Sequence, residues 1–466
     1  MEEQKKRFSL ASLFAPTDMT EGSPGKKIIA FAIPMLIGNV AQQLYNTVDS
    51  IVVGRYVGDN ALAAVGSAGP ILNLLLVLFV GISVGASIMV SQYFGAKQRE
   101  ELSYSIGCSI TLTAISSLII MALAPFVIRP LLHLLNTPDS IMDWCSSYLM
   151  ILFIGIAGMA YYNILSGILR GLGDSVSALL YLLVATVLNI ILDLVFVAVF
   201  QMGVAGVALA TAIAQAVSSV LCILKLARMG DIFDLKLSYL KPRRKHTADM
   251  IRLGLPSGIT QAIFSMAMII VQSLTNSFGE MFIAANVIIM RVDGFAMMPN
   301  FSFGTAMTTY AGQNVGARKY DRVEQGAKEG TLISVAISAA ITTLILIFGK
   351  YLMQIFTETD ALVDLSMRMM RILAVGYIAM AVTQCLSGVM RGAGDTMTPM
   401  WISLITTVLI RVPLAYGIAW MTRSPELPNG RSECIFISLL GSWVLGAVIT
   451  WLSYKKGTWK KKALED

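Results

Sequence analysis

Apolar residues in this chain neither alternate with polar ones nor recur at a short period. They run on for about 20 positions at a time and then break at short polar loops. A run of that length crosses about 30 Å of hydrocarbon as an α-helix. The runs predict spans over 28–53, 62–88, 103–124, 144–168, 176–199 and 203–226, then 251–277, 283–307, 330–350, 371–390, 398–420 and 435–454. Twelve helices make an all-α polytopic membrane protein. The polar exceptions inside the runs carry the chemistry, and "NIILDLVFV" (189–197) is the sharpest, with an asparagine and an aspartate inside an apolar helix.

The pattern repeats. "LRGLGDS" (169–175) returns as "MRGAGDT" (390–396), and "QYFGAK" (92–97) returns as "QNVGAR" (313–318), both 221 positions on, while Pro34 has Pro256 as its counterpart at 222. A constant offset along most of the chain marks an internal duplication. Six spans per half return the chain to its starting side. The halves are therefore parallel repeats about an axis along the membrane normal, a plan of secondary transporters. The expected organisation is a tail (1–27), an N-lobe (28–227), a basic linker (228–250), a C-lobe (251–454) and a second tail (455–466). In the repeated loops the glycines suit a tight turn, and Asp174 and Asp395 suit helix N-caps. Arg170 and Arg391 beside them are expected to be structural or to serve an inner gate. "FGAK" and "VGAR" suit helix stops.

Composition changes the picture only in part. The 466 residues are 56% hydrophobic and 14% charged, against about 25% charged in soluble domains. Lys and Arg gather at "AKQRE", "KPRRKH", "GARKYDR" and "YKKGTWKKK", which lie on one side if both termini are cytoplasmic. The net charge of +7 is thus a matter of topology, and no nucleic-acid partner is expected. The start lacks the compact apolar core of a signal peptide and reads as a cytoplasmic tail with a short interfacial helix. Five scattered cysteines (108, 145, 222, 385, 434) have no metal-ligand spacing and read as small apolar residues. The two histidines, His133 and His246, are assigned to loops, which leaves an intramembrane enzyme without a nucleophile–base or metal constellation. Filter-like repeats of a channel are missing, and so is a GxxxxGK[ST] phosphate loop for ATP hydrolysis. No cofactor is expected beyond a coupling ion.

Carboxylates inside a bilayer are costly and usually face a protein interior on an ion path. Asp49 lies six residues before Arg55 at the outer end of the first span, and Asp193 lies seven before the end of the fifth. Each is about 10 Å below the outer surface at 1.5 Å per residue. Asn189 shares the face of Asp193 at i, i+4, and Thr211 is at similar depth on the sixth span. Two carboxylates, an amide and a hydroxyl at one depth suit Na⁺ as hard oxygen ligands, and the carboxylate pair suits H⁺ equally. A plainer alternative is that both acids are solvated helix ends. At the 221 offset they fall on Ile270 and Leu414, so the pair is no requirement of the repeat. Gln42 and Asn46 accompany it. In the second half Arg291, Asp293 and Arg411 lie inside spans. Arg291 and Asp293 do not share a helix face, so Asp293 either lines a substrate cavity or forms a cross-helix pair with Arg411. Methionine-dense stretches, "SMAMIIVQ" and "FAMMPNFSFGTAM", suit either a promiscuous binding surface or lipid-facing filler. Gln42, Asn46, Gln272, Asp293 and Met297 are the substrate-cavity candidates.

In this order, "PMLIGNVAQQLYNTVDSIVVGRYVG", "SQYFGAK", "LRGLGD", "NIILD", "GQNVGAR" and "MRGAGD" resemble the multidrug and toxic compound extrusion (MATE) family over nearly the whole chain. The resemblance implies two six-helix bundles forming a V around a central cavity. It also implies export of bulky, often cationic or aromatic drug-like compounds in antiport with Na⁺ or H⁺. In prokaryotic members with this pattern the cation site uses a first-span Asp, the NxxxD pair and a sixth-span Thr, here Asp49, Asn189, Asp193 and Thr211. One departure stands out. Some members carry an acid in the seventh span, where this chain has only Gln261 and Gln272, so a second-lobe cation site of that type is not expected. A monomer in the inner membrane of a prokaryote, multi-pass with both termini inside, is the expected form. The rival is a flippase for lipid-linked sugars on a related fold, which calls for several cavity arginines or lysines.

Overall fold

The computed structural model describes residues 15–134 and 137–464. Most of the expected N-terminal tail, including any interfacial helix before residue 15, lies outside them. The described chain is helical, and among its residues the only β-type pairing is an isolated bridge between Ser424 and Leu427. The first half contains α1 (Pro24–Tyr56), α2 (Asp59–Gly95), α3 (Arg99–Leu134), α4 (Asp139–Ile154), α5 (Ile156–Gly171), α6 (Ser175–Asp193) and α7 (Gly203–Ala227). The second contains α8 (Arg244–Asn276), α9 (Glu280–Gly316), α10 (Tyr320–Gln354), α11 (Asp360–Ala374), α12 (Gly376–Gly392), α13 (Met397–Leu404), α14 (Arg411–Met421) and α15 (Cys434–Lys456). Two π-helical stretches, Leu194–Val199 and Ile405–Ile410, extend α6 and join α13 to α14.

Among the described residues, nine helical runs are long and apolar enough to cross a membrane, and the bent pairs α4–α5 (53°) and α11–α12 (42°) raise this to eleven. The remaining run, α2, is helical over 37 residues. In lipid every backbone polar group must bond internally, which only helices or closed barrels achieve. Large apolar side chains such as Phe126 (77% exposed) and Ile269 (71%) remain uncovered by protein, as a lipid-facing surface requires.

Several helices overrun the apolar runs. The second span, expected over 62–88, reaches Gly95, and the eighth, expected over 283–307, reaches Gly316. Hydropathy marks only the part in hydrocarbon, whereas a helix continues until something stops it. The stops repeat: Lys97 and Arg318, one residue past each C-cap, take left-handed φ of 58° and 57°. In "RGLGD" and "RGAGD", Gly173 and Gly394 have φ of 83° and 96°, which disfavours a side chain. Asp174 then accepts from Ser177 N (2.9 Å) and Oγ (2.7 Å), and Asp395 accepts from Thr398 N (3.2 Å) and Oγ (2.8 Å). The duplication is therefore written in the backbone as well as in the letters.

The histidines depart from expectation. His133 is in the last turn of α3, and His246 is in the first turn of α8. Neither is in a loop, because both helices continue beyond their apolar cores. The basic linker is likewise partly ordered, with a 3₁₀ turn at Leu237–Leu240 and helix from Arg244. All five cysteines are free and buried.

The chain divides into two compact units. Of the described residues, unit 1 comprises 15–21, 33–134 and 137–251, and unit 2 comprises 22–32 and 252–464. In unit 1, Gly167 and Gly171 of α5 press on α2, where an added Cβ would stand 2.5 Å from Ser83 Oγ and 2.7 Å from the Ser87 carbonyl. In unit 2 their 221-offset partners Gly388 and Gly392 of α12 press on α9, at 2.4 Å from the Gly304 carbonyl and 2.3 Å from that of Thr308. Without a hydrophobic drive between helices in lipid, such Gly-xxx-Gly faces let backbones approach closely enough to pack. The core of unit 2 gathers Phe282, Ile289, Met370, Tyr377, Ala415 and Phe436.

Candidate functional site

Three helices of unit 1 bring the expected polar residues together. Helix α1 carries Asp49, α6 carries Asn189 and Asp193, and α7 carries Thr211. Asn189 and Asp193 are 0% exposed, which removes the solvated-helix-end alternative. With its amide nitrogen facing the acids, the orientation that satisfies both ends, Asn189 donates to Asp49 Oδ1 (2.8 Å) and Asp193 Oδ2 (3.2 Å). The other amide atom lies 3.4 Å from Thr211 Oγ1. The two carboxyls are themselves within hydrogen-bonding contact, while Asp193 Oδ1 is sealed without a protein partner.

Two tyrosines complete the group and were missed from the sequence. Tyr45 of α1 donates to Thr211 Oγ1 at 3.1 Å, and Tyr148 of α4 is buried close enough to both carboxyls to interact electrostatically. Tyr45 had a readable signal, being one turn from Asp49 on the same face. Tyr148 had none, since it arrives from a distant helix. Gln42 is partly exposed and Asn46 exposed, and among the described residues neither side chain bonds to the cluster. Directly after Asp193 the helix widens into its π stretch, a feature frequent at functional sites. The donors are carboxylate, amide and hydroxyl. Among the described residues no three His, Cys, Asp or Glu side chains converge as a transition-metal site would require.

The other expected residues lie apart from this cluster, most of them in unit 2. Asp293 of α9 faces the Tyr377 hydroxyl of α12 and feels the charge of Arg411. Among the described residues, however, Asp293 and Arg411 form no ion pair. Arg291 is exposed, and Gln272, also exposed, donates to Asn276 (2.7 Å). Met297 is 5% exposed within the apolar core, its sulphur 4.0 Å from Asn300 Nδ2. Arg170 donates to Ser166 Oγ (3.2 Å). Arg170 and Arg391 each occupy the last turn of a helix, α5 and α12, where positive charge suits the helix dipole.

Comparison with known proteins agrees with this architecture. The probable multidrug resistance protein YoeA of Bacillus subtilis (strain 168) is 28% identical over 447 residues, covering 93% of this chain and 94% of that protein. The probable multidrug resistance protein NorM of Thermotoga maritima is 24% identical over 471 residues, covering 98% of both. A crystal structure of MATE in the bent conformation superposes with a TM-score of 0.88 at 26% identity, over 95% of this chain and 98% of that one. The MatE family model matches residues 34–195 and again 256–417, one match in each repeat. The chain belongs to the MatE (multidrug and toxic compound extrusion) family.

Proposed function

We propose that this membrane transporter is a multidrug exporter that moves bulky cationic or aromatic compounds outward in antiport with H⁺ bound at Asp49 and Asp193. The observation that carries the reading is the sealed cluster of unit 1: two touching carboxyls bridged by one amide, at positions where the repeat has Ile270 and Leu414. The names of the relatives, as multidrug resistance proteins, support the substrate side.

The chemistry follows from the geometry. Two carboxyls in contact away from water cannot both hold a negative charge cheaply, so the pair takes up a cation. Two carboxyls in contact can share a single proton with no further ligand, which favours H⁺, and the Asn189 amide lies against both acids. Na⁺ is the second reading, with the amide oxygen serving as a further ligand. Uptake from outside neutralises the pair, α1 and α6 shift as the charge is lost, and the substrate leaves. The neutral carrier then returns, discharges its ion to the cytoplasm and binds substrate there. The ion drives the cycle only if its affinity differs between the two states. Both termini are taken to be cytoplasmic, in a prokaryotic cell membrane.

The test is ethidium export from proteoliposomes under an imposed pH gradient or an imposed Na⁺ gradient, in wild type, Asp49→Asn and Asp193→Asn. Expected is pH-driven export that falls roughly tenfold to a hundredfold in each variant, the cost of removing bonds to a charged group, about 1.5–3 kcal/mol. Export driven only by Na⁺ would replace the ion. Undiminished export in both variants would overturn the site, and none under either gradient in wild type would bring the lipid-linked-sugar flippase forward.

A further inference from the structure

We infer that Asp293 is a second proton-carrying carboxyl, held in unit 2, and that Arg411 is the group that discharges it. The site has no counterpart in unit 1, where the 221 offset puts Leu72, Ile156 and Ile190 at the positions of Asp293, Tyr377 and Arg411. Each repeat thus carries its own intramembrane acid on a different helix.

The inference rests on donor accounting. Asp293 Oδ1 is sealed from solvent with no hydrogen-bond partner. The hydroxyl that faces Asp293 belongs to Tyr377, and it also lies 3.6 Å from Met370 Sδ. One neutral hydroxyl is thus what α12 offers the carboxyl. A neutral acid leaves Oδ1 as one unsatisfied polar atom, whereas a carboxylate would leave a sealed oxygen charged and unpaired, which is far more costly. Arg411 could compensate the carboxylate but does not reach it. Its Nε is also sealed and unpartnered, and no ion pair joins the two side chains although each feels the other's charge. Among the described residues, Tyr377 and Arg411 are the titratable or charged groups facing Asp293 from α12 and α14. On its own helix the nearest, Arg291, is exposed.

The element that places Arg411 has an alternative register. The π stretch Ile405–Ile410 ends immediately before it. Pro413, two residues on, lacks an N–H and crowds the carbonyl four residues back, which favours the wider turn. Conversion of the π stretch to α-helix removes one residue from the turn and rotates Arg411 by about 100° around the axis. Two states follow: Arg411 apart from Asp293, the arrangement seen here, in which the acid carries its proton, and Arg411 paired with an ionised Asp293, its proton released to water. Only the coupling of this exchange to export rests on the transport reading.

The experiment uses the full chain in nanodiscs with Asp49→Asn and Asp193→Asn as background, so that unit 1 is silent. Infrared spectra across pH should show a protonated carboxyl band that is lost on adding Asp293→Asn and moved, not lost, in Asp293→Glu. Adding ethidium should release protons, detected with an indicator dye. That release should disappear in Arg411→Gln while its carboxyl band persists, and return in Arg411→Lys. No band difference between the background and Asp293→Asn, with both folded by size exclusion, would overturn the site. Unchanged proton release in Arg411→Gln would overturn the role of the arginine. A wild type that exports no ethidium but keeps the Asp293 band would instead sink the transport reading and leave the proton site standing.

Discussion

Asn189 shows how much a single amide can organise. Its nitrogen bridges Asp49 and Asp193 while its other end meets the Thr211 hydroxyl, which Tyr45 in turn supports. Side chains in such a chain hold one another's geometry, so the outermost member should matter less than the acids. Tyr45→Phe removes one neutral hydrogen bond, worth about 1 kcal/mol. We expect a severalfold weaker ion dependence of ethidium export with the maximal rate nearly kept. A loss as large as that of Asp49→Asn would mean that Tyr45 touches the ion itself. The identity of Asp49, Asn189, Asp193 and Thr211 as a group was legible from depth and i, i+4 spacing. Tyr148 was not, since nothing in a one-dimensional pattern says which face of α4 turns towards α1.

Helix packing in the two units turns on the paired glycines of α5 and α12. Gly388→Leu would force a side chain to within 2.4 Å of the Gly304 carbonyl and should destabilise unit 2 by about 1–3 kcal/mol or more, the cost of overpacking. A Cβ at Gly417 meets nothing within 4 Å, so Gly417→Ala should be neutral or stabilising. Thermal aggregation midpoints in detergent would decide, and equal midpoints would refute the close-approach argument. The linker offers a second test at this scale. Arg99 binds the Asp234 carboxylate (3.1 Å) and the carbonyls of Gly230 (2.5 Å) and Asp231 (2.8 Å), and Ser103 accepts from Asp234 N (2.8 Å). The hydrogen bond from Arg99 holds the Asp234 carboxyl below its usual range. Its contribution is therefore complete above the unfolded value of about 3.9 and fades as pH falls through the lower folded value. Hydrogen exchange at 231–240 should quicken in Asp234→Asn at neutral pH. The difference from wild type should vanish under strong acid, and a pH-independent difference would contradict the pairing.

For the whole molecule, the positive-inside pattern makes a claim that the fold leaves open, namely which side is the cytoplasm. Because all five native cysteines are buried, single surface cysteines can report on an otherwise quiet background. Lys241→Cys in the linker should react with an impermeant maleimide only in everted vesicles, and Glu426→Cys only in intact cells. Both positions are exposed. The opposite pattern would invert the topology and with it the direction of transport.

Class, repeat and helix stops were determined by the sequence alone, since a lipid-buried backbone must be helical and a duplication leaves its offset in the letters. The caps at Asp174 and Asp395 and the breaks at Gly95 and Gly316 were readable for the same reason, being interactions within a few residues. Tertiary structure alone decided which helix faces meet. It placed Tyr148 beside the acids of unit 1 and drew Met297 into the core. It also left Asp293 and Arg411 near each other yet unpaired. Those outcomes depend on contacts between segments far apart in the chain, where periodicity within one helix specifies a face but not what that face will touch.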